Sequence, residues 1–113
     1  MARGAVRPSL VSGSGALVAS QIITASGCVL EELLCTNTSG AVVYCQIFNS
    51  ATLPADTTTP DIVFAVPATS SASLDLQQGL PLSAGCTVCV STTAHVKTIA
   101  TAVAVFSAVL EVR

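Results

Sequence analysis

Ala102-Val103-Ala104-Val105-Phe106-Ser107-Ala108-Val109-Leu110-Glu111-Val112 is the stretch whose reading decides the fold class. Its even positions (Ala102, Ala104, Phe106, Ala108, Leu110, Val112) are all apolar. Its odd positions start apolar with Val103 and Val105, and end in Glu111 and Arg113. Residues i and i+2 share one face of a strand, so the run reads as a strand with its even side chains in a core. The odd face is also rich in valine. A strand apolar on both faces is covered on both, here by another subunit or by a loop of its own chain.

Upstream the texture repeats. In 41–48, Val42, Tyr44, Gln46 and Phe48 share one face, and Val43, Cys45 and Ile47 share the other. Further short runs at 17–24, 28–36, 62–66, 72–76 and 86–92 are separated by Gly, Pro, Asn and Ser. Asn37-Thr38-Ser39-Gly40 predicts a hairpin between 28–36 and 41–48, with Asn and Gly supplying positive φ. Loops are expected at 49–60 and at 77–85, the latter centred on Pro81. Only Cys28-Val29-Leu30-Glu31-Glu32-Leu33-Leu34 offers a helix any competition. The expectation is an all-β chain: an antiparallel β-sandwich, jelly-roll-like, of seven to eight short strands. Residues 15–113 form that domain. Residues 1–14, with Arg3, Arg7, Pro8 and a Gly/Ser run, read as an extended arm, either frayed or ordered on a partner.

Composition narrows the function. The chain has 113 residues, enough for a core without a staple. Only 9% of residues are charged, against about 25% in an ordinary domain. The uncharged run at the C-terminus is too short to span a bilayer, and the one at 8–30 is too polar, so no membrane partner is expected. Surface covered by other subunits is the better account of the missing charge. Four Lys and Arg against six Asp and Glu leave no basic patch for nucleic acid. No apolar segment follows Arg3 and Arg7, so no secretory signal is expected.

Catalytic chemistry has little to work with. His95 is the sole histidine and sits in a loop. Glu31 and Glu32, adjacent on a strand, are expected to face opposite ways and so not to form an acid–base pair. Cys86 and Cys89 are likewise expected on opposite faces, a poor zinc geometry. The five cysteines (Cys28, Cys35, Cys45, Cys86, Cys89) are an odd number, and buried thiols are expected. Asp56 and Asp61 are too few for a calcium loop. No catalytic, metal or cofactor residue is assigned. The candidate assembly residues are Arg3 and Arg7 in the arm, with Val103, Val105 and Val109 on the odd face.

The order of features resembles small virion structural proteins of tailed bacteriophages. The residues that carry the likeness are the Asn37–Gly40 turn leading into 41–48, Leu53-Pro54-Ala55, Pro60, Val66-Pro67-Ala68, Ser73-Leu74-Asp75 and 88–93. That resemblance implies a head decoration or cement protein, a homotrimer that bridges major capsid protein subunits on the phage head and is assembled in the host cytoplasm. A tail, neck or fibre module, a lectin-like jelly roll and a small metal enzyme are the competing readings.

Overall fold

The computed structural model describes residues 10–13 and 16–112, with side chains described from 16 to 111. Among these residues eight strands form: β1 (Leu10–Gly13), β2 (Ser20–Thr24), β3 (Cys28–Asn37), β4 (Val43–Phe48), β5 (Ile62–Val66), β6 (Ser70–Leu82), β7 (Cys86–Ser91) and β8 (Ala104–Val112). They make two antiparallel four-stranded sheets, ordered β1-β8-β3-β6 and β2-β7-β4-β5. That order is an eight-stranded jelly roll, in which the chain changes sheet at every connection except the β4–β5 hairpin and closes two Greek keys.

The expected core face of the last strand holds for its inner part. Ala104, Phe106, Ala108 and Leu110 are buried, while Ala102 lies before the strand and is exposed. They pack on Leu30, Leu33 and Cys35 of β3, and on Val43, Cys45, Ile47, Val66, Val88 and Val90 of the opposing sheet. Cys28–Leu34 is strand, not helix: β3 is the central ribbon between β8 and β6. Within 1–14, residues 10–13 form β1, which pairs with β8 from Leu10↔Leu110 to Gly13↔Ser107. Pairing there covers an edge that β8 would otherwise expose.

Two local expectations are corrected. The Asn37–Gly40 turn makes no hairpin, because β3 and β4 lie in different sheets. β3 already has a neighbour on each side, so the chain must turn a corner and cross to the other layer. The turn uses no positive φ at Asn37 or Gly40; among the described residues the left-handed glycines are Gly79 (φ 78) and Gly85 (φ 151). Asn37 shapes the corner with its side chain instead. Nδ2 donates to the carbonyls of Ala41 (2.8 Å), Val66 (3.2 Å) and Pro67 (3.1 Å), and Oδ1 accepts from Ser39 N and Ser39 Oγ.

The second correction is at 77–85. β6 runs on through Pro81 to Leu82, and the loop shrinks to 83–85. Pro81 is tolerated because β6 is the outer strand of its sheet and owes ladder bonds on one side only. The expected break appears as a bulge: the β6 register jumps from Leu80 to Asp75 opposite Leu30 and Glu32.

Candidate assembly surface

The outer face of the β1-β8-β3-β6 sheet is built in rows. Ser71, Thr36 and Val105 stand side by side, then Ser73, Leu34 and Ser107, then Asp75, Glu32 and Val109. Thr36 Oγ1 and Ser71 Oγ are hydrogen-bonded at 2.9 Å on this face. Leu34 is 39% exposed, and Val105 and Val109 are half-buried. The face is therefore graded: apolar and hydroxyl-bearing in its first two rows, acidic from Glu32 onward.

The sequence-predicted residues divide. Val105 and Val109 lie on this face, in rows separated by Ser107. Val103 does not: it precedes β8, packs partly on the core, and its carbonyl accepts from Thr38 N (2.9 Å) and Thr38 Oγ1 (2.8 Å). Arg3 and Arg7 lie outside the described residues. Leu34 was missed, because β3 carries leucines at both 33 and 34 and only the register shift at Glu31 shows which side each takes.

That shift also corrects the expectation for the glutamates. Against β8, Glu31 is an extra residue in the ladder between Leu30 and Glu32; against β6 it stands opposite the four unpaired residues 76–79. A bulge adds one residue and breaks strict alternation. Leu30 and Leu33 both point inward, and Glu31 and Glu32 line one cavity of about 660 Å³. Asp75, Gln77, Gln78 and Glu111 also line it, so it holds four of the chain's six carboxylates. Gly79, at φ 78, lies against Val29: an added Cβ would come within 2.4 Å of Val29 Cγ1.

The outer face of the other sheet is covered by the chain itself at β4 and β7, while Ile22 of β2 and Val63 of β5 remain exposed. Gln46, fully buried, donates through Nε2 to the carbonyls of Thr93 (3.0 Å), Ala94 (3.1 Å) and Val96 (3.0 Å). Ser91 Oγ donates to Thr93 O (2.7 Å) and accepts from Thr98 N (2.9 Å). The own-loop alternative thus describes β4 and β7, beneath residues 92–100. His95 is exposed in that loop. Asp61 Oδ2 accepts from Asn49 N at 2.7 Å, fixing the start of loop 49–61. No group of three or more His, Cys, Asp or Glu suited to a metal occurs among the described residues.

Lys97 joins the two loops. Its side chain is 4% exposed and its ammonium donates to Asp56 Oδ1 at 2.7 Å, while its backbone exchanges bonds with Thr57 and Thr58. The Lys97 hydrogen bond holds the Asp56 carboxyl below its ordinary value of 3.8. A depressed carboxylate contributes stability that is present above its unfolded pKa and is lost as pH falls through the folded one. Amide protection at Lys97 and Thr57 should therefore fall in acid below about pH 4. Asp56→Asn should show the reduced protection already at pH 7, by hydrogen exchange. Equal protection in both proteins across that range would show that the ion pair does not hold the loops.

With this topology the chain is a jelly roll, a fold shared by viral capsid proteins, lectins and cupins. No protein-family model and no curated protein matches it. Among solved structures it is similar to the coat protein of Tobacco streak virus, at 9% identity and a TM-score of 0.46, over 93% of this chain and 86% of that one. A likeness that distant carries nothing about function.

Proposed function

We propose that this chain is a non-enzymatic virion structural protein that works by packing against copies of itself and other subunits. Within that class the reading is a decoration or cement protein of a tailed-phage head, a homotrimer bound to major capsid protein, with no nucleic-acid or membrane partner. Its place is the virion, after assembly in the host cytoplasm. The observation that carries the reading is the uncharged, half-exposed end of one sheet face, where Leu34 and Val105 stand among serine and threonine hydroxyls. Fully burying such a side chain contributes about 1.5–3 kcal/mol, and repetition over a lattice multiplies weak contacts into avidity. Val109 extends this surface toward the acidic end. Of the arm at 1–14, residues 10–13 pair with β8 as β1, and the part that carries Arg3 and Arg7 would add contacts by ordering on a neighbour. The jelly roll is compatible with this role but does not select it.

Light scattering over a concentration series tests self-association, with a discrete oligomer expected. A strict monomer at high concentration overturns the reading. Electron microscopy of the source particle then separates head from tail, neck or fibre. A second reading, a lectin-like ligand-binding jelly roll, is favoured by the 660 Å³ cavity with its carboxylates and amides. Saturable sugar binding that Glu32→Gln abolishes would support it over assembly.

A further inference from the structure

The chain carries five buried thiols, and their positions are not scattered. We infer that Cys28 with Cys86, and Cys35 with Cys45, are two inter-sheet dithiol pairs that close to disulfides when the chain folds in the presence of a small-molecule disulfide, leaving Cys89 as a thiol.

β3 supplies Cys28 and Cys35 at its two ends, both inward-facing and at most 1% exposed. Cys45 of β4 and Cys86 of β7 point inward from the opposing sheet, each at 0% exposure, and all four belong to one core cluster. Each pair sits where the chain itself crosses between layers. Cys35 precedes Asn37 by two residues and Cys45 follows Val43 by two, so the pair flanks the Asn37 corner. The thiols of Cys35 and Cys45 already share a hydrogen bond. At the other end, Thr24 pairs with Cys86, and the chain reaches Cys28 only four residues later. Cys86 is near enough to feel a charge on Cys28, and Cys45 feels Cys86 as well, so it is the two crossings that divide the four thiols into pairs. Disulfides need Cα atoms within about 7 Å, and a short crossing tethers the strand ends of the two layers to each other. Cys89 faces the other way on β7, toward Lys97 and Asp56.

The folded core protects these thiols. Burial pushes Cys86 up to about 12 and Cys89 up to about 11, and raises Cys45 too. The hydrogen bond with Cys45 lowers Cys35 instead, but that thiol is fully buried, so little thiolate stands within an oxidant's reach. Closure therefore belongs to folding or to an opened state. One protein thiolate attacks oxidised glutathione, forming a mixed disulfide and releasing one glutathione thiolate, which takes up a proton. Its deprotonated partner attacks the protein sulfur of that mixed disulfide and expels the second glutathione. In sum, two protein thiols and one glutathione disulfide give one protein disulfide and two glutathiones.

The test is to refold reduced, denatured protein in a mixture of oxidised and reduced glutathione and quench with iodoacetamide. The chain between Arg7 and Lys97 contains no Lys or Arg, so peptic mapping without reductant reads the links. The expected result is 28–86 and 35–45, with Cys89 alkylated. Closing the short 35–45 loop should raise the folding equilibrium constant about a hundredfold. Cys89→Ala should give the same two links, and Cys45→Ala should leave Cys35 alkylated while 28–86 persists. A link through Cys89, a spread over the roughly fifteen possible two-bond arrangements, or five alkylated cysteines would overturn the inference.

Discussion

Asn37→Ala is expected to cost about 3 kcal/mol of folding stability, a large share of the 5–15 kcal/mol typical of a domain. Asn37 is 1% exposed, and its amide serves five hydrogen bonds at once. Each net bond is worth about 0.5–1.5 kcal/mol, and a buried group left unpaired costs about 1–3 kcal/mol. Alanine would leave the carbonyls of Val66 and Pro67 without this donor, where β5 ends beside the corner. Asn37→Asp keeps the shape but replaces the donors with a carboxylate facing three carbonyls, so it should be at least as damaging. Urea unfolding should move its midpoint down by about 2 M in either variant. A loss below about 1 kcal/mol in both would show that the corner is held by strand pairing alone.

The Asn37 corner also marks the limit of what one sequence discloses. Local signals placed most strands well: β5 falls on 62–66 as read, and β8 keeps the predicted alternation over its inner residues. Periodicity reports burial of a strand, and that survives whatever its neighbours are. Pairing is a non-local matter. Asn-Thr-Ser-Gly has the chemistry of a hairpin, but β3 was already flanked by β6 and β8, and no local residue records that. Glu31 was misjudged for a related reason. Alternation assumes an unbroken ladder, and one bulged residue turns two diverging carboxylates into neighbours of one cavity. Pro81 was read as a loop centre because its tolerance depends on β6 being an outer strand. On the outer face of the β1-β8-β3-β6 sheet, parity placed Val105 and Val109, whereas Leu34 needed the register.

Val105→Asp is expected to abolish self-association while leaving the subunit folded. Val105 is half-buried on the outer face, in the row with Thr36 and Ser71. In the separate subunit a carboxylate there can still reach water, so the cost in folding should be at most about 1 kcal/mol. At an interface the same carboxylate loses its hydration with no described cation in its row, at several kcal/mol per ion. A penalty of about 3 kcal/mol weakens association more than a hundredfold, and a closed oligomer meets it once per subunit. Val105→Thr keeps the shape and adds only a hydroxyl to a face already lined with them, so it should associate nearly as well as the parent. Phe106 is the control from the other side of the same strand. It is fully buried, and Phe106→Ala should cost about 3–5 kcal/mol in folding. Sedimentation velocity beside urea unfolding separates the two signatures. If Val105→Asp fails to fold, Val105 belongs to the core of the subunit. If it folds and associates like the parent, this face is not the assembly surface, and another side of the jelly roll carries the association.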